Sequence, residues 1–135
     1  MVGAIVVLNG TSSAGKSSIG RALQTSANGL WLLAGLDAYL DLLGKPVLNA
    51  TWPEILGDPV QPGPVGDDLV RAMYAAAAAI ARAGVNVVMD VVIVSDAWRE
   101  WAAAEFAGLP AWFVGVHCPQ QVLAARERER GDRTL

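Results

Sequence analysis

The stretch Gly10-Thr11-Ser12-Ser13-Ala14-Gly15-Lys16-Ser17 decides the fold of this 135-residue chain. Its spacing, G-x-x-x-x-G-K-[ST], is that of a Walker A phosphate-binding loop. In such a loop the glycines let backbone N–H groups turn toward phosphate oxygens, and the next helix adds its positive end. The lysine brings a mobile positive charge, and the final hydroxyl is a ligand for Mg2+. A turn that only joins a strand to a helix would not require Lys-Ser, so the stretch predicts a nucleotide site.

The two flanks of this loop have the patterns that a nucleotide site requires. Ala4–Leu8 is an apolar, β-branched run, typical of a strand buried on both faces of a parallel sheet. From Lys16 to about Ala27 the apolar residues recur at helical spacing, and Asn28-Gly29 ends the helix. We assign the nucleotide contacts to the loop residues and the serine that follows them: Gly10, Thr11, Ser12, Ser13, Ala14, Gly15, Lys16, Ser17 and Ser18.

The rest of the chain alternates short apolar runs with helical segments. We predict strands over residues 31–36, 85–94 and 111–116, and helices over 38–43, 67–82 and from about 95 to before Gly108. This alternation predicts βαβ units and a parallel sheet with helices on both faces. We therefore expect one domain over residues 1–135 with a three-layer α/β/α fold. Most of the five tryptophans are expected in its core.

A long insert is predicted on the substrate side of the fold. Residues 44–66 contain five of the seven prolines, with glycines between them. Long loops in compact domains are often lids or binding loops, and the carboxyl ends of parallel strands hold the ligands. We expect this insert to cover the acceptor, with Trp52 lining its pocket and Val92 also on the substrate side.

Two aspartates follow apolar runs. Asp90 comes after Val85–Met89, where a Walker B acid would lie beside the metal, so we assign Ser17 and Asp90 to Mg2+. Asp37 follows a different strand. Its carboxylate either accepts the proton of a substrate hydroxyl or caps the helix that begins at Ala38.

The last residues are rich in arginine. Residues 126–133 form either a solvated helix with internal ion pairs or the start of an arginine lid over a triphosphate. Arg126 and Arg130 share a helix face, so both are candidates for nucleotide contacts. His117 and Cys118 close the preceding strand, where packing or local hydrogen bonding is the expected role.

Composition narrows the classes of partner. The net charge of −3 offers no broad attraction for nucleic acid or an anionic membrane, and no apolar run is long enough to span a membrane. A single cysteine excludes an internal disulfide and suits a reducing cytoplasm. ATP and a small hydroxylated substrate are the expected partners, and the oligomeric state stays open.

Five segments carry a resemblance to a known family: Asn9–Ser17, Trp31–Asp41, Ala83-Gly84, Val114–Cys118 and Arg130–Arg133. Together they resemble the chloramphenicol phosphotransferase-like family over nearly the whole chain. The resemblance implies a P-loop kinase, related in fold to nucleoside monophosphate and shikimate kinases, that moves the γ-phosphoryl group of ATP onto an alcohol. In the founding activity of the family, that alcohol is the primary hydroxyl of an antibiotic.

The resemblance also implies roles for single residues. The catalytic aspartate of the family falls on Asp37, its phosphate-loop residues on Gly15, Lys16 and Ser17, and its lid arginines on Arg130 and Arg133. We count Asp37, Lys16, Arg130 and Arg133 as catalytic, with ATP and Mg2+ as cofactors.

Two features depart from the family pattern. Members often carry a second acid after the aspartate of the third strand, where this chain has Val91. Related chains also continue past the lid into a further strand and a final helix, so we expect either a fragment or an incomplete adenine side. Two other functions stay open: a kinase for another metabolite or a nucleotide-sugar, and a nucleotide-binding module without turnover.

Overall fold

A computed structural model of the chain describes residues 1–43 and 64–130. Its elements, in chain order, are β1 (Ile5–Asn9), α1 (Lys16–Ser26), β2 (Trp31–Gly35), α2 (Leu36–Leu40), α3 (Pro64–Arg82), β3 (Asn86–Val91), α4 (Asp96–Glu105), β4 (Ala111–Gly115) and α5 (Gln120–Arg130). The four strands of the described residues form one sheet in the order β2-β3-β1-β4. Every neighbouring pair is parallel, which confirms the predicted α/β class.

The main core lies on one face of the sheet, under α3 and α4. Side chains of a strand alternate between its faces, and Ile5 and Val7 of β1 point into this core with Val87 and Met89 of β3. The alanines of α3 are small enough to let the helix lie close to the sheet, and Ala77, Ala78 and Ala81 are fully buried.

The opposite face of the sheet packs against α1. A side-chain Cβ on Gly20 would lie 2.7 Å from Leu33 Cδ1, so the helix approaches β2 as closely as it does because residue 20 is a glycine. The predicted helical spacing of α1 is correct, but Ile19 on this helix is 44% exposed. The contact face is therefore set by Gly20 and not by the largest apolar side chain.

β3 is shorter than predicted, since it ends at Val91 and not at Val94. Its neighbours β1 and β2 end at Asn9 and Gly35, which pair with Val91 and Asp90. Past that point none of the described strands pairs with residues 92–94, and the backbone N–H of Ile93 instead donates to Asn9 Oδ1 at 2.9 Å. The apolar run over residues 85–94 is thus longer than the strand within it.

The helix boundaries also correct the predictions. α2 begins at Leu36, two residues earlier than expected, with Gly35 as its N-cap. α3 begins at Pro64, inside the predicted insert, and its acidic first turn contains Asp67. Proline fits the first turn of a helix because the N–H that it lacks has no partner there. The remainder of the insert, residues 44–63, lies outside the described residues.

The tryptophans are mostly not in the core, contrary to expectation. Of the four that the structure describes, Trp98 is buried at 2% exposure and its Nε1 donates to Asp67 Oδ1 at 2.7 Å. Trp31 and Trp101 are half-buried, and Trp112 is 56% exposed. Trp112 lies on β4, an edge strand whose apolar side chains stay largely exposed because the described residues place no further strand beside it. Across residues 1–43 and 64–130, no helix has the length and apolar character to cross a membrane.

Candidate active site

The phosphate loop begins where β1 ends. A Cβ on Gly10 would lie 2.4 Å from the carbonyl oxygen of Val116, so the close approach of the chain after β4 requires glycine at this position. Ser13 and Gly15 have positive φ angles of 62° and 101°. The N–H of Ala14 donates to Thr11 O at 3.2 Å and closes the turn. Left-handed residues in a closed turn can direct successive N–H groups to one side, as phosphate-binding loops do.

Lys16 lies folded against the loop and is 6% exposed. Its Nζ donates to the carbonyl oxygens of Gly10 and Thr11, at 2.6 and 2.8 Å. The same nitrogen is 3.7 Å from Asp90 Oδ1. A buried ammonium must be paired or hydrogen-bonded, and here both kinds of partner are present. The contacts of Lys16 thus hold the cation at the centre of the loop.

Ser17 and Asp90 meet directly. The hydroxyl of Ser17, in the first turn of α1, donates to Oδ2 of Asp90, near the end of β3. Parallel register explains the encounter, because Asp90 pairs with Leu8 of β1 one residue before the strand reaches its end. Two oxygen ligands side by side suit the hard Mg2+ ion, which prefers oxygen and keeps several waters. Within the described ranges there is no group of three or more His, Cys, Asp or Glu side chains, so this site would depend on nucleotide phosphates to complete its coordination.

Asp37 lies in the first turn of α2 and its side chain is exposed. The alternative that it caps this helix is wrong, because the cap is Gly35, which has extended backbone angles. Gly35 of β2 pairs with Asp90 of β3, so the helical turn that carries Asp37 starts beside Asp90. The fold therefore brings Lys16, Ser17 and Asp90 into contact and places Asp37 at the same edge of the sheet.

The arginine helix α5 docks on the phosphate loop. Arg126 Nη1 donates to the carbonyl oxygen of Ser13 at 3.0 Å, and Arg130 Nη1 donates to its hydroxyl at 3.1 Å. That hydroxyl in turn donates to Glu127 Oε1. Arg126 also reaches Cys118 Sγ at 3.6 Å, a local contact of the kind expected for this cysteine. Arg133 lies outside the described residues.

A narrow apolar cleft lies where α2 and the end of β3 meet α3 and α4. Its lining side chains pack closely and leave no room for a water molecule between them: Leu36, Val70, Met73, Tyr74, Val91, Val92 and Trp98. Leu36 precedes Asp37 in the chain, so the cleft lies near the predicted base. Val91 and Asp90 are neighbours on β3 and point to opposite faces of the sheet, so the cleft is on the α3 side whereas Asp90 faces α1. Val92 lines this cleft, and its assignment as a substrate contact stays a prediction. Trp52 falls outside the described residues.

The tyrosine of this cleft is strongly perturbed by its surroundings. Burial raises the pKa of Tyr74 from 10.0 to about 12, since ionisation would place a charge in an apolar site. Its ring meets Phe106 edge-to-face, with centroids 5.6 Å apart. Burial also raises the pKa of Tyr39. Both phenols stay neutral at ordinary pH.

Two residues of the site were not predicted as functional. The Asn9 side chain accepts a hydrogen bond from the N–H of Ile93 and so holds the segment that follows β3. Glu127 accepts a hydrogen bond from the hydroxyl of Ser13 in the phosphate loop. The asparagine before the first loop glycine was a usable signal for the former. For Glu127 the sequence offered only an alternation of arginine and glutamate, which gives no hint of which charges face the loop.

Comparison with known proteins places this geometry in a family. The model of the chloramphenicol phosphotransferase-like protein family matches residues 3–135. Two curated proteins named Putative O-phosphotransferase, from the CDC 1551 and H37Rv strains of Mycobacterium tuberculosis, are each 36% identical over 145 residues. The match covers 97% of this chain, which spans 64% of the length of those relatives.

Solved structures share the fold at lower identity. The APS kinase of Mycobacterium tuberculosis, solved with AMPPNP and APS, superposes with a TM-score of 0.66 at 18% identity over 98% of this chain and 77% of its own. A gluconokinase from Sinorhizobium meliloti 1021 gives 0.61 at 24% identity, over 98% and 67%. These similarities confirm the predicted kinase-type P-loop fold.

Proposed function

Because this chain belongs to the chloramphenicol phosphotransferase-like family, we propose that it transfers the γ-phosphoryl group of ATP to a hydroxyl of a small molecule. The observation that carries the proposal is the cluster of Lys16, Ser17 and Asp90 at the mouth of a phosphate loop. A structural turn has no use for a buried ammonium beside a hydroxyl and a carboxylate. Phosphoryl transfer uses all three.

In the proposed reaction, the protein mainly positions ATP and the acceptor and stabilises the charge on the transferring phosphoryl group. Backbone N–H groups of the loop and Lys16 would bind the β- and γ-phosphates, with Arg126 and Arg130 adding charge from α5. The bond between the γ-phosphorus and the β-phosphate oxygen breaks as the acceptor oxygen bonds to phosphorus. The proton of the acceptor hydroxyl passes to the carboxylate of Asp37, and ADP leaves.

Mg2+ fits the donor set that Ser17 and Asp90 present. Both side chains offer oxygen at one point, and Lys16 Nζ lies close enough to Asp90 to keep that carboxylate oriented. When bound, the ion would neutralise phosphate charge and orient the triphosphate. The role of the two side chains is to hold it at the loop.

We propose that the acceptor binds beside Asp37 with its apolar body against the mouth of the cleft, whose side chains would move apart to admit it. The lining is apolar, which favours a hydroxylated molecule with an apolar body over a highly charged one. Chloramphenicol or a related antibiotic meets this description and would make the protein a resistance enzyme. Other hydroxylated metabolites and nucleotide-sugars are the competing acceptors.

A transfer screen with γ-labelled ATP and Mg2+ tests the proposal. The acceptors would be chloramphenicol, related antibiotics with primary hydroxyls, sugar alcohols and nucleotide-sugars, each assayed with the wild type and with Lys16→Ala prepared in parallel. The variant controls for contaminating kinases. We expect a labelled product in one acceptor class that disappears with Lys16→Ala. ATP binding without any labelled product would favour a nucleotide-binding module, and absence of ATP binding would contradict the proposal.

A further inference from the structure

We propose that Ser13 is a positioning residue that holds α5, and with it Arg126 and Arg130, against the phosphate loop. The contact itself stands on geometry alone. Its consequence for phosphoryl transfer rests on the proposed function.

Three residues of α5 converge on this one serine. Arg126 binds its carbonyl oxygen, Arg130 binds its hydroxyl oxygen, and Glu127 accepts the hydroxyl proton. Both the donor and the acceptor capacity of the hydroxyl are therefore used. Because residues four apart share a helix face, both guanidinium groups donate to Ser13 from the same side of α5.

Within residues 1–43 and 64–130, the apolar anchorage of α5 is limited to the half-buried Leu123 and Ala125. None of its residues, from Gln120 to Arg130, is buried. An isolated helix of this length is marginal in water, and most helices in proteins gain their stability from an apolar face that packs. The hydrogen bonds at Ser13 involve charged partners, which makes them stronger than neutral ones. They are the contacts on which the docking of α5 depends.

The backbone of Ser13 gives the contact a fixed direction. Its φ of 62° is the left-handed conformation, which serine adopts only when its surroundings impose it. The bond from Ala14 N to Thr11 O closes the turn around it. The hydroxyl is thus presented from a closed turn of the loop, and α5 meets it there.

The docking places charge where a triphosphate would lie. A Cβ built on Gly15 would stand 3.7 Å from Arg126 Nη1, so this guanidinium reaches the loop just before Lys16. Arginines in this position stabilise the charge of the transferring phosphoryl group, and small displacements of such groups are costly. Loss of the Ser13 hydroxyl should therefore act mainly on kcat.

Hydrogen exchange provides a test that does not need the reaction. Ser13 is 113 residues from Arg126 in sequence, so Ser13→Ala leaves the intrinsic exchange rates of α5 amides unchanged. We expect these amides to exchange about tenfold faster in Ser13→Ala, and β3 amides to stay at the wild-type rate. Ser26→Ala is the matched control, since the Ser26 hydroxyl bonds only within α1, to Ala22 O at 2.6 Å.

A second variant separates the hydroxyl from the strained backbone. Ser13→Gly also removes the hydroxyl but relieves the cost of a positive φ. The proposal requires that both variants release α5 and that both lower kcat more than they raise KM for ATP. Exchange of α5 within twofold of wild type in Ser13→Ala would overturn it, and so would an effect in Ser13→Ala that Ser13→Gly lacks.

The two proposals fail separately. If the wild type transfers no phosphoryl group, the proposed function fails, and the exchange rates of α5 still decide whether Ser13 holds the helix. If the wild type is active and Ser13→Ala frees α5 without lowering kcat, the positioning of the arginines is refuted while the function stands.

Discussion

The Ser17 hydroxyl donates a hydrogen bond to Asp90 Oδ2, so the first turn of α1 is tied to the end of β3, 73 residues further along the chain. The bond brings two oxygen ligands together beside the Lys16 ammonium. In the proposed function this pair holds Mg2+. That assignment can be tested on Asp90 alone, because its neutral isostere keeps the hydrogen bond from Ser17.

Asp90→Asn should raise the Mg2+ concentration needed for half-maximal transfer by about tenfold or more, because an amide oxygen is a weaker partner for a hard cation and its waters. ATP binding without metal should change less. A Mg2+ titration of the initial rate measures the effect. Asp96→Asn is the control, since Asp96 is exposed and pairs with Arg99 at 3.1 Å on α4. An unchanged titration would leave Asp90 with a structural role only.

Asp37→Asn should lower kcat by about 10²- to 10⁴-fold, the usual contribution of a positioned general base. The affinity for ATP should stay near wild type. The free energy of unfolding should change by less than about 1 kcal/mol, since Gly35 and not Asp37 caps α2 and the amide keeps the size of the exposed side chain. Asp41→Asn, at the other end of α2, controls for a loss of charge nearby. Near-normal kcat in Asp37→Asn would exclude Asp37 as the base.

Tyr74 should make the fold sensitive to alkaline pH. Its folded pKa of about 12 exceeds the ordinary value of 10.0, so the unfolded chain loses this proton first. The stabilisation is fully present below about pH 10 and is lost as the pH rises through about 12. Urea unfolding at about pH 9 and about pH 11 should show a fall in stability that is smaller in Tyr74→Phe. The pKa of Tyr39 is also raised, so some of the fall should persist; an identical fall in the variant would contradict the account.

Ser95 caps α4, and its removal should cost about 1 kcal/mol of unfolding free energy. Its hydroxyl accepts a hydrogen bond from the N–H of Trp98 at 3.2 Å, which satisfies one of the free donors of the first turn. Urea unfolding of Ser95→Ala measures the cost. Ser26→Ala, whose hydroxyl bonds inside a formed helix, should change stability by less; equal losses in the two variants would argue against the cap.

The sequence predicted the elements that carry a local signal. Apolar patterns predicted the strand before the phosphate loop and the helix after it, and a helix was predicted to start at about residue 95, where Ser95 caps α4. The order of apolar runs was enough to predict the parallel sheet. These features follow from residues close together in the chain.

Features that depend on distant partners were not predictable in this way. The end of β3 is set by the lengths of β1 and β2, which its own apolar residues do not encode. The helix face of α1 is set by the fit of Gly20 to Leu33, and the role of Glu127 by where α5 meets Ser13. Periodicity within one segment carries no information about such contacts.

An ATP titration of the wild type and of Lys16→Ala tests the central claim most directly, because the claim requires the phosphate loop to be the nucleotide site. Lys16 is the cation at the centre of that loop, and losing its hydrogen bonds to phosphate should weaken ATP binding by about 10- to 100-fold. Lys16→Met, which keeps an apolar stem in the buried position, should weaken it equally if charge is the cause. Calorimetry with Mg2+ present, on variants whose circular dichroism matches the wild type, gives the three affinities. Weaker binding in both variants is the predicted result, and wild-type affinity in both would contradict the account.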